Sequence, residues 1–551
     1  MSTTVIRSAK VPGPRQTDLE VLDKDGGAAP AKGGFLARAV ALHLAGRREE
    51  ALQQLQRAIA ANEASPEIYR AMGHVQFELG TFQDAARSYR SLVQLKPQYA
   101  TGWFNLAVCH ERMGASDNAC EAFHKAVTLD PSNFDGHLGL GVCHLRLEDP
   151  KSALFAFERC LELNPDNQDA IFGKAAALQS MGHADDASKL YQQILERDPD
   201  SEESLSNLIL IGMAKEDFDM VREYSERLLD LRPDSTVALE GLAAWACAAG
   251  EHALTAKFCT LLVSAVPGHF EGWFNLALAH QKSGRWEQAA EAYEEALKLK
   301  PKSPETLTNL GIVQEQLHDL TAARATYERA MQAAPDALAP LWNMALLLEH
   351  NDQPEEAERW YKLVLEKAPK EEEARFRLGY LRLQRSDHRG AAEAFEGCLK
   401  FRPNWPEAYA NLALAYIGLE ERERAERIYE KMLDSDPKNL DALRGLAALS
   451  IHSNDFESAL EYHVRLIDLG ENSPEVLYNT GLMHEKNGRL DKAVAMYREA
   501  LAQQPEMPEA LLNLGRILES NGRSDEARSC WGKALDAEPA LAQGYFGPAI
   551  E

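Results

Sequence analysis

Thirteen prolines of this chain lie on one arithmetic series of period 34: Pro97, Pro131, Pro165, Pro199, Pro233, Pro267, Pro301, Pro335, Pro369, Pro403, Pro437, Pro505 and Pro539. Only two stations, at Glu63 and Glu471, lack one. With 25 prolines in 551 residues, chance would fill fewer than one of fifteen stations, so the series marks an internal repeat. The register does not slip between residues 32 and 541, which gives fifteen consecutive units.

Each unit is numbered here so that the recurrent proline is slot 32. Slot 8 is Gly or Ala in fourteen units, slot 20 is Ala in thirteen, slot 24 is aromatic in eleven and slot 7 is Leu or Met in twelve. Apolar slots 4, 7, 8 and 11 recur at helical spacing, as do 20, 24, 27 and 28, so each unit reads as two amphipathic helices. Small residues at slots 8 and 20 let two helix axes approach closely, and the large residue at slot 24 fills the space beside that contact. A turn rich in Gly, Asn and Asp separates the helices, as at Gly284-Arg285, Asn487-Gly488 and Asn521-Gly522. The slot-32 proline ends the second helix, because it lacks a donor and clashes with the preceding turn. Pro66, Pro304, Pro406, Pro474 and Pro508 stand where the first position of a first helix is expected.

This pattern resembles the tetratricopeptide repeat (TPR). The run Gly272-Trp273-Phe274-Asn275-Leu276-Ala277, followed by Ala289, Tyr293, Ala296 and Pro301, matches the family motif nearly residue for residue. The resemblance implies an all-α fold: a right-handed superhelical solenoid of about fifteen 34-residue helix-turn-helix units, the first helix of each pair lining a concave groove. Residues 1–31 read as a flexible N-terminal lead-in rich in Gly and Pro. Two units, 202–269, depart from the pattern: Ile209, Val221 and Ser225 fill three key slots of the first, and Thr255 and Cys259 two of the second. They are expected either to form a joint between blocks 32–201 and 270–541 or to compensate by altered packing. The tail 542–551 is short, and Tyr545 and Phe546 either begin a cap or leave the last unit to be covered by another chain, an opening for self-association.

Composition limits the function classes. A net charge of −26, from 85 acidic against 59 basic residues, argues against nucleic acid and favours basic partner segments. No apolar run reaches the length of a membrane span, and none near the start reads as a signal peptide. The eight cysteines form no Cys-x-x-Cys pair and read as reduced, buried thiols of a cytoplasmic protein. Cys109-His110 and Cys143-His144 are one repeat apart, but slots 10 and 11 belong to the core, so no metal site and no cofactor are expected. No phosphate loop, nucleophile elbow or His-Glu-x-x-His pair is present, and the repeats consume nearly the whole chain, so no enzyme activity is expected.

Binding residues are expected on the first helices. Slot 6 carries Asn105, Asn207, Asn275, Asn309, Asn343, Asn411, Asn479 and Asn513. A carboxamide offers both a donor and an acceptor, which suits an extended peptide backbone. This ladder is similar to the one in the TPR arm of O-linked N-acetylglucosamine transferase, whose catalytic domain is lacking here. Slot 5 adds Phe104, Phe172, Phe274, Trp342, Phe376 and Tyr478, which would either anchor apolar ligand side chains or pack on neighbouring helices. Slot 9 is mostly apolar, as at Leu346 and Leu414, without the Lys and Asn of family members that clamp a terminal carboxylate. Slot 2 is acidic in eleven units, which suits a helix N-terminus and would also form an acidic lip. The expected function is a protein–protein interaction scaffold or adaptor binding a partner segment in the groove. The alternatives are a targeting subunit for an enzyme supplied in trans, such as a glycosyltransferase, and a self-assembling structural solenoid.

Overall fold

The computed structural model describes residues 34–540; the lead-in 1–31 and the tail with Tyr545 and Phe546 lie outside them. Among the described residues there are thirty α-helices and no strand, as the repeat requires. Numbered in chain order, odd helices are the first of each pair and even helices the second. In α5 (Ala100–Arg112, 13 residues) and α6 (Ser116–Leu129, 14 residues) the pair has its usual lengths. The chain divides into two compact units, Met1–Pro301 and Lys302–Glu551. Within each, every helix pair packs on the next. The two atypical repeats, 202–269, lie wholly inside the first unit.

Local chemistry explains where helices begin and stop. The five prolines expected at helix starts do open first helices. Two more, Pro150 and Pro354, open second helices. Between the helices of every pair, slot 15 takes positive φ. Glycine fills it in eight pairs, while Glu148, Glu216, His318, Asp352, Ser386, Glu420 and Asn454 adopt the same conformation at a steric cost.

The second helices stop in two ways. Before a slot-32 proline, slot 31 is forced into extended backbone, as at Lys96 (φ −127°, ψ 76°). At the two stations without proline, slot 31 instead takes positive φ, at Asn62 (65°) and Gly470 (94°). There the following amide folds back onto the helix: Glu63 N–H donates to the Ala58 carbonyl, and Glu471 N–H to that of Leu466. Where proline is missing, a left-handed cap replaces it.

The core repeats one contact. A β-carbon added at Gly73 would lie 2.9 Å from the Tyr89 ring, and one at Gly141 2.7 Å from Phe157, so slot 8 must be small beneath its own slot-24 ring. The same ring has a second wall. A β-carbon at Gly139, slot 6 of the next repeat, would meet Phe123 at 2.5 Å; Gly173 meets Phe157, and Gly445 meets Tyr429, in the same way. In the repeat at 202–235 the sizes are reversed. Ile209 and Ser225 are both fully buried, and the space over Gly241 is filled by Ile209 Cγ2 at 2.9 Å together with the Ser225 hydroxyl. The large side chain has moved from slot 24 to slot 8.

Candidate functional site

The first-helix face is built from slots 2, 5, 6, 9, 12 and 13. Its aromatic slot 5 is tied to the core. Phe104 packs on Phe123 with ring centroids 5.8 Å apart, Phe172 on Tyr191 at 5.4 Å and Phe274 on Tyr293 at 5.9 Å. In the second unit Trp342 packs on Tyr361 at 5.5 Å, Phe376 on Phe395 at 5.6 Å and Tyr478 on Tyr497 at 5.7 Å. Each pair is slot 5 against slot 24 of the same repeat, so these rings brace the two helices of a pair. Phe104 and Phe172 are buried outright; Phe274, Trp342, Phe376 and Tyr478 keep a partly exposed edge.

The asparagines of slot 6 fall into three groups. Asn105 and Asn207 are buried, Asn275 is exposed, and Asn309, Asn343, Asn411, Asn479 and Asn513 are half-buried. The preceding repeat's slot-24 ring accounts for the small size of this slot, because Gly139, Gly173 and Gly445 stand at the same place. Local bonds hold two of the amides: Asn411 Nδ2 donates to the Glu407 carbonyl at 2.9 Å, and Asn513 Nδ2 to the Tyr478 hydroxyl at 3.1 Å.

A polar feature not noticed in the sequence lies beside them at slot 12. The Tyr191 hydroxyl donates to Gln179 at 3.0 Å, Tyr293 to Gln281 at 2.6 Å, Tyr361 to Glu349 at 2.5 Å and Tyr497 to Glu485 at 2.8 Å. Tyr327 donates to Glu315 likewise. The signal was available: an acceptor twelve residues before a slot-24 tyrosine. Burial raises the Glu315 carboxyl above its ordinary value against the lowering effect of the Tyr327 bond. Arg377 reaches Glu349 at 3.3 Å and Arg516 pairs with Glu485, so two of these carboxylates are shared with a base.

Neighbouring first helices of the second unit, α21 (Glu372–Gln384) and α23 (Pro406–Gly418), expose apolar side chains on this face. Tyr380 and Leu414, both slot 9, are 39% and 48% exposed, and Ile417 at slot 12 is 37% exposed. Tyr380 was not among the expected binding residues. The slot-2 acids are held at the end of the hairpin. Lys96 donates to Glu67 and Lys300 to Glu271, each at 2.9 Å, and these bonds lower both carboxyl pKa values.

The cysteines are all free, but they are not uniformly buried as expected. Burial pushes the Cys109, Cys143, Cys160, Cys259 and Cys398 thiols up to about 12. Cys120 and Cys530 are half-buried, and Cys247 is exposed. His144 does not join the Cys109-His110 pair. Its Nε2 lies 3.7 Å from Cys120 Sγ and its Nδ1 3.5 Å from Asp149, beside a cavity of about 360 Å³ lined by Trp103, Glu121, His124 and Lys125. This looks like a thiol–imidazole–carboxylate relay, but its electrostatics run the wrong way for a nucleophile. Burial, then Asp117 and Asp149, raise the thiol, while burial lowers His144, so the proton stays on sulfur.

Three repeat-family models match the chain. Two are described as tetratricopeptide repeat: one matches residues 70–134, 113–168, 274–338, 308–372 and 478–542, the other 145–209 and 420–477. The third, described as TPR repeat, matches 41–80. Together they span well over half of the sequence in both compact units. The fold and the matched motifs define a helical repeat protein. The chain belongs to the tetratricopeptide repeat family.

No curated protein matches it. Among solved structures it is similar to YrrB, a TPR protein with an unusual peptide-binding site, at 24% identity over 34% of this chain and 96% of that one (TM-score 0.32). It is also similar to a chain of the Naa15/Naa10 structure bound to HypK-THB, at 12% identity over 92% of this chain and 93% of that one (TM-score 0.33). A third is a chain of the Cut9-Hcn1 hetero-tetramer structure, at 13% identity over 86% and 94% (TM-score 0.32). Among the described residues no helix is long and apolar enough to cross a membrane.

Proposed function

We propose that the chain is a protein-interaction scaffold that seats an extended segment of a partner protein along its first helices, with the main apolar anchor point on α21 and α23. One observation carries this reading: Tyr380, Leu414 and Ile417 are exposed on adjacent first helices, whereas large apolar residues in the same slots elsewhere, such as Leu278, Ile312 and Leu346, are at least half-buried. Exposed apolar side chains grouped on one face are a feature of interaction sites rather than of free surface. The half-buried amides of Asn343 and Asn411 flank them with backbone-compatible donors and acceptors. Acidic Glu407, at slot 2 of α23, favours a segment carrying Lys or Arg, while Glu373 of α21 is already paired with Arg377 at 3.4 Å. A cytoplasmic location belongs to this reading and is supported by eight unpaired cysteines.

Crosslinking of native complexes, followed by peptide mapping, tests it. Lysine-containing segments of a client protein are expected at residues near Tyr380 and Leu414. Tyr380→Ala with Leu414→Asp is expected to weaken client capture by tenfold or more while leaving helical content unchanged, because both side chains are substantially exposed. Full capture by this variant would move the site elsewhere. Recovery of one stoichiometric enzyme would make the chain a targeting subunit, and recovery of only its own copies a self-assembling solenoid.

A further inference from the structure

Helix α1 (Phe35–Leu44) carries His43 in its last turn, and α3 (Pro66–Glu78) carries His74 and, one turn later, Glu78. They occupy slots 12, 9 and 13, three different positions of adjacent repeats. His74 Nε2 lies 3.4 Å from Glu78 Oε1, and His43 Nδ1 lies 3.7 Å from Glu78 Oε2. One donor atom from each residue falls within 4.8 Å of the other two. The two imidazoles meet edge to face, with centroids 5.6 Å apart.

We propose that His43, His74 and Glu78 bind one divalent transition-metal ion of the zinc class. Tetrahedral zinc, with bonds of about 2.0–2.1 Å, separates its donors by about 3.4 Å; the two imidazoles approach different oxygens of Glu78 at about this spacing, and a set of one donor atom from each residue, within 4.8 Å, needs only small side-chain rotations to close on an ion. Two imidazoles and one carboxylate suit zinc and its neighbours rather than calcium or magnesium, which require mostly oxygen. The fourth position is left for water.

A second observation points the same way. His43 Nδ1 is buried and has no hydrogen-bond partner, so a polar atom aimed at the cluster lacks the bond that burial normally demands. The three side chains are 17%, 10% and 21% exposed, which leaves a path for the ion. Arg48 opposes it: its Nε donates to Glu78 Oε2 at 2.6 Å, orienting the carboxylate but placing a positive charge beside the ion. The site is therefore weaker than a thiolate zinc site.

The test uses the full chain, stripped by chelation and titrated at pH 7.5 with Zn(II) by calorimetry and with Co(II) by visible absorption. One ion per chain is expected, with the strong visible bands of tetrahedral cobalt and no sulfur-to-metal charge-transfer band. His43→Ala, which alters only the last turn of α1, is expected to lower affinity at least tenfold. Arg48→Gln, which removes the charge beside Glu78 but none of the three ligands, is expected to raise it severalfold. Absence of uptake by the wild type, equal affinity in His43→Ala, or a charge-transfer band placing the ion on a cysteine would each overturn the proposal.

Discussion

The reversed sizes at Ile209 and Ser225 can be tested by restoring the family arrangement in two steps. Ile209→Ala alone removes three carbons from a fully buried site next to Gly241, and a buried Ile→Ala change costs about 2–5 kcal/mol. Ser225→Tyr alone inserts a ring where Ile209 already stands, and such overpacking costs about 1–3 kcal/mol. Together, the ring enters the space vacated by the isoleucine, over the same glycine wall. The Ser225 hydroxyl, buried without a partner, is replaced by one at the end of a ring. The double variant is therefore expected to be more stable than the sum of its parts by about 2 kcal/mol, within the range measured for residues in contact. Long repeat arrays do not unfold in one step, so the assay should be local. Amide hydrogen exchange in α11 (Glu202–Lys215) and α12 (Phe218–Leu231) reads the opening free energy of this repeat directly. Additivity to within about 0.5 kcal/mol would show that the two positions do not share one space.

Three further outcomes follow from the same structure. Glu216→Gly and Glu420→Gly, at left-handed slot 15, are each expected to stabilise their repeat by about 1 kcal/mol, read by hydrogen exchange; destabilisation would contradict the positive φ. Iodoacetamide labelling of the folded chain at pH 8 should modify Cys247 first, Cys120 and Cys530 more slowly, and the five thiols raised to about 12 hardly at all; rapid labelling of Cys109 would refute this order. His463, at slot 24 of its repeat, is buried and its pKa is lowered by desolvation. Because the folded value lies below the unfolded one, its contribution is complete above the unfolded pKa of about 6.5 and is lost as pH falls below it. His463→Phe is therefore expected to flatten the loss of stability between about pH 7 and pH 5, and an unchanged pH profile would show that this imidazole is not responsible.

The fold was legible because three physical requirements recur in fixed places: a helix stop at slot 32, small residues at slots 8 and 20, and a ring at slot 24. The sequence was less legible where one requirement is met in two chemical ways. Asn62 and Gly470 stop their helices by a left-handed cap that no proline count detects. Ile209 and Ser225 conserve volume across two slots, so each looks like a defect when read alone. The binding face was harder still. Slot 6 answers both to the surface and to the ring of the preceding repeat, so asparagine there does not by itself mark a ligand. His43, His74 and Glu78 meet only because adjacent first helices are offset, and residues in three different slots share no period to be found.

The two walls around each slot-24 ring also govern how such a chain can grow or shrink. A copy of repeat 134–167 inserted after itself would set Gly139 against Phe157, the pairing that Gly173 already makes. A copy of repeat 202–235 would set Asn207 where Gly241 now stands, and its side chain would run into Ile209 Cγ2 and the Ser225 hydroxyl, which already fill that space. Duplication is thus tolerated at some junctions and penalised at others, and the rule is written in pairs of residues belonging to different repeats.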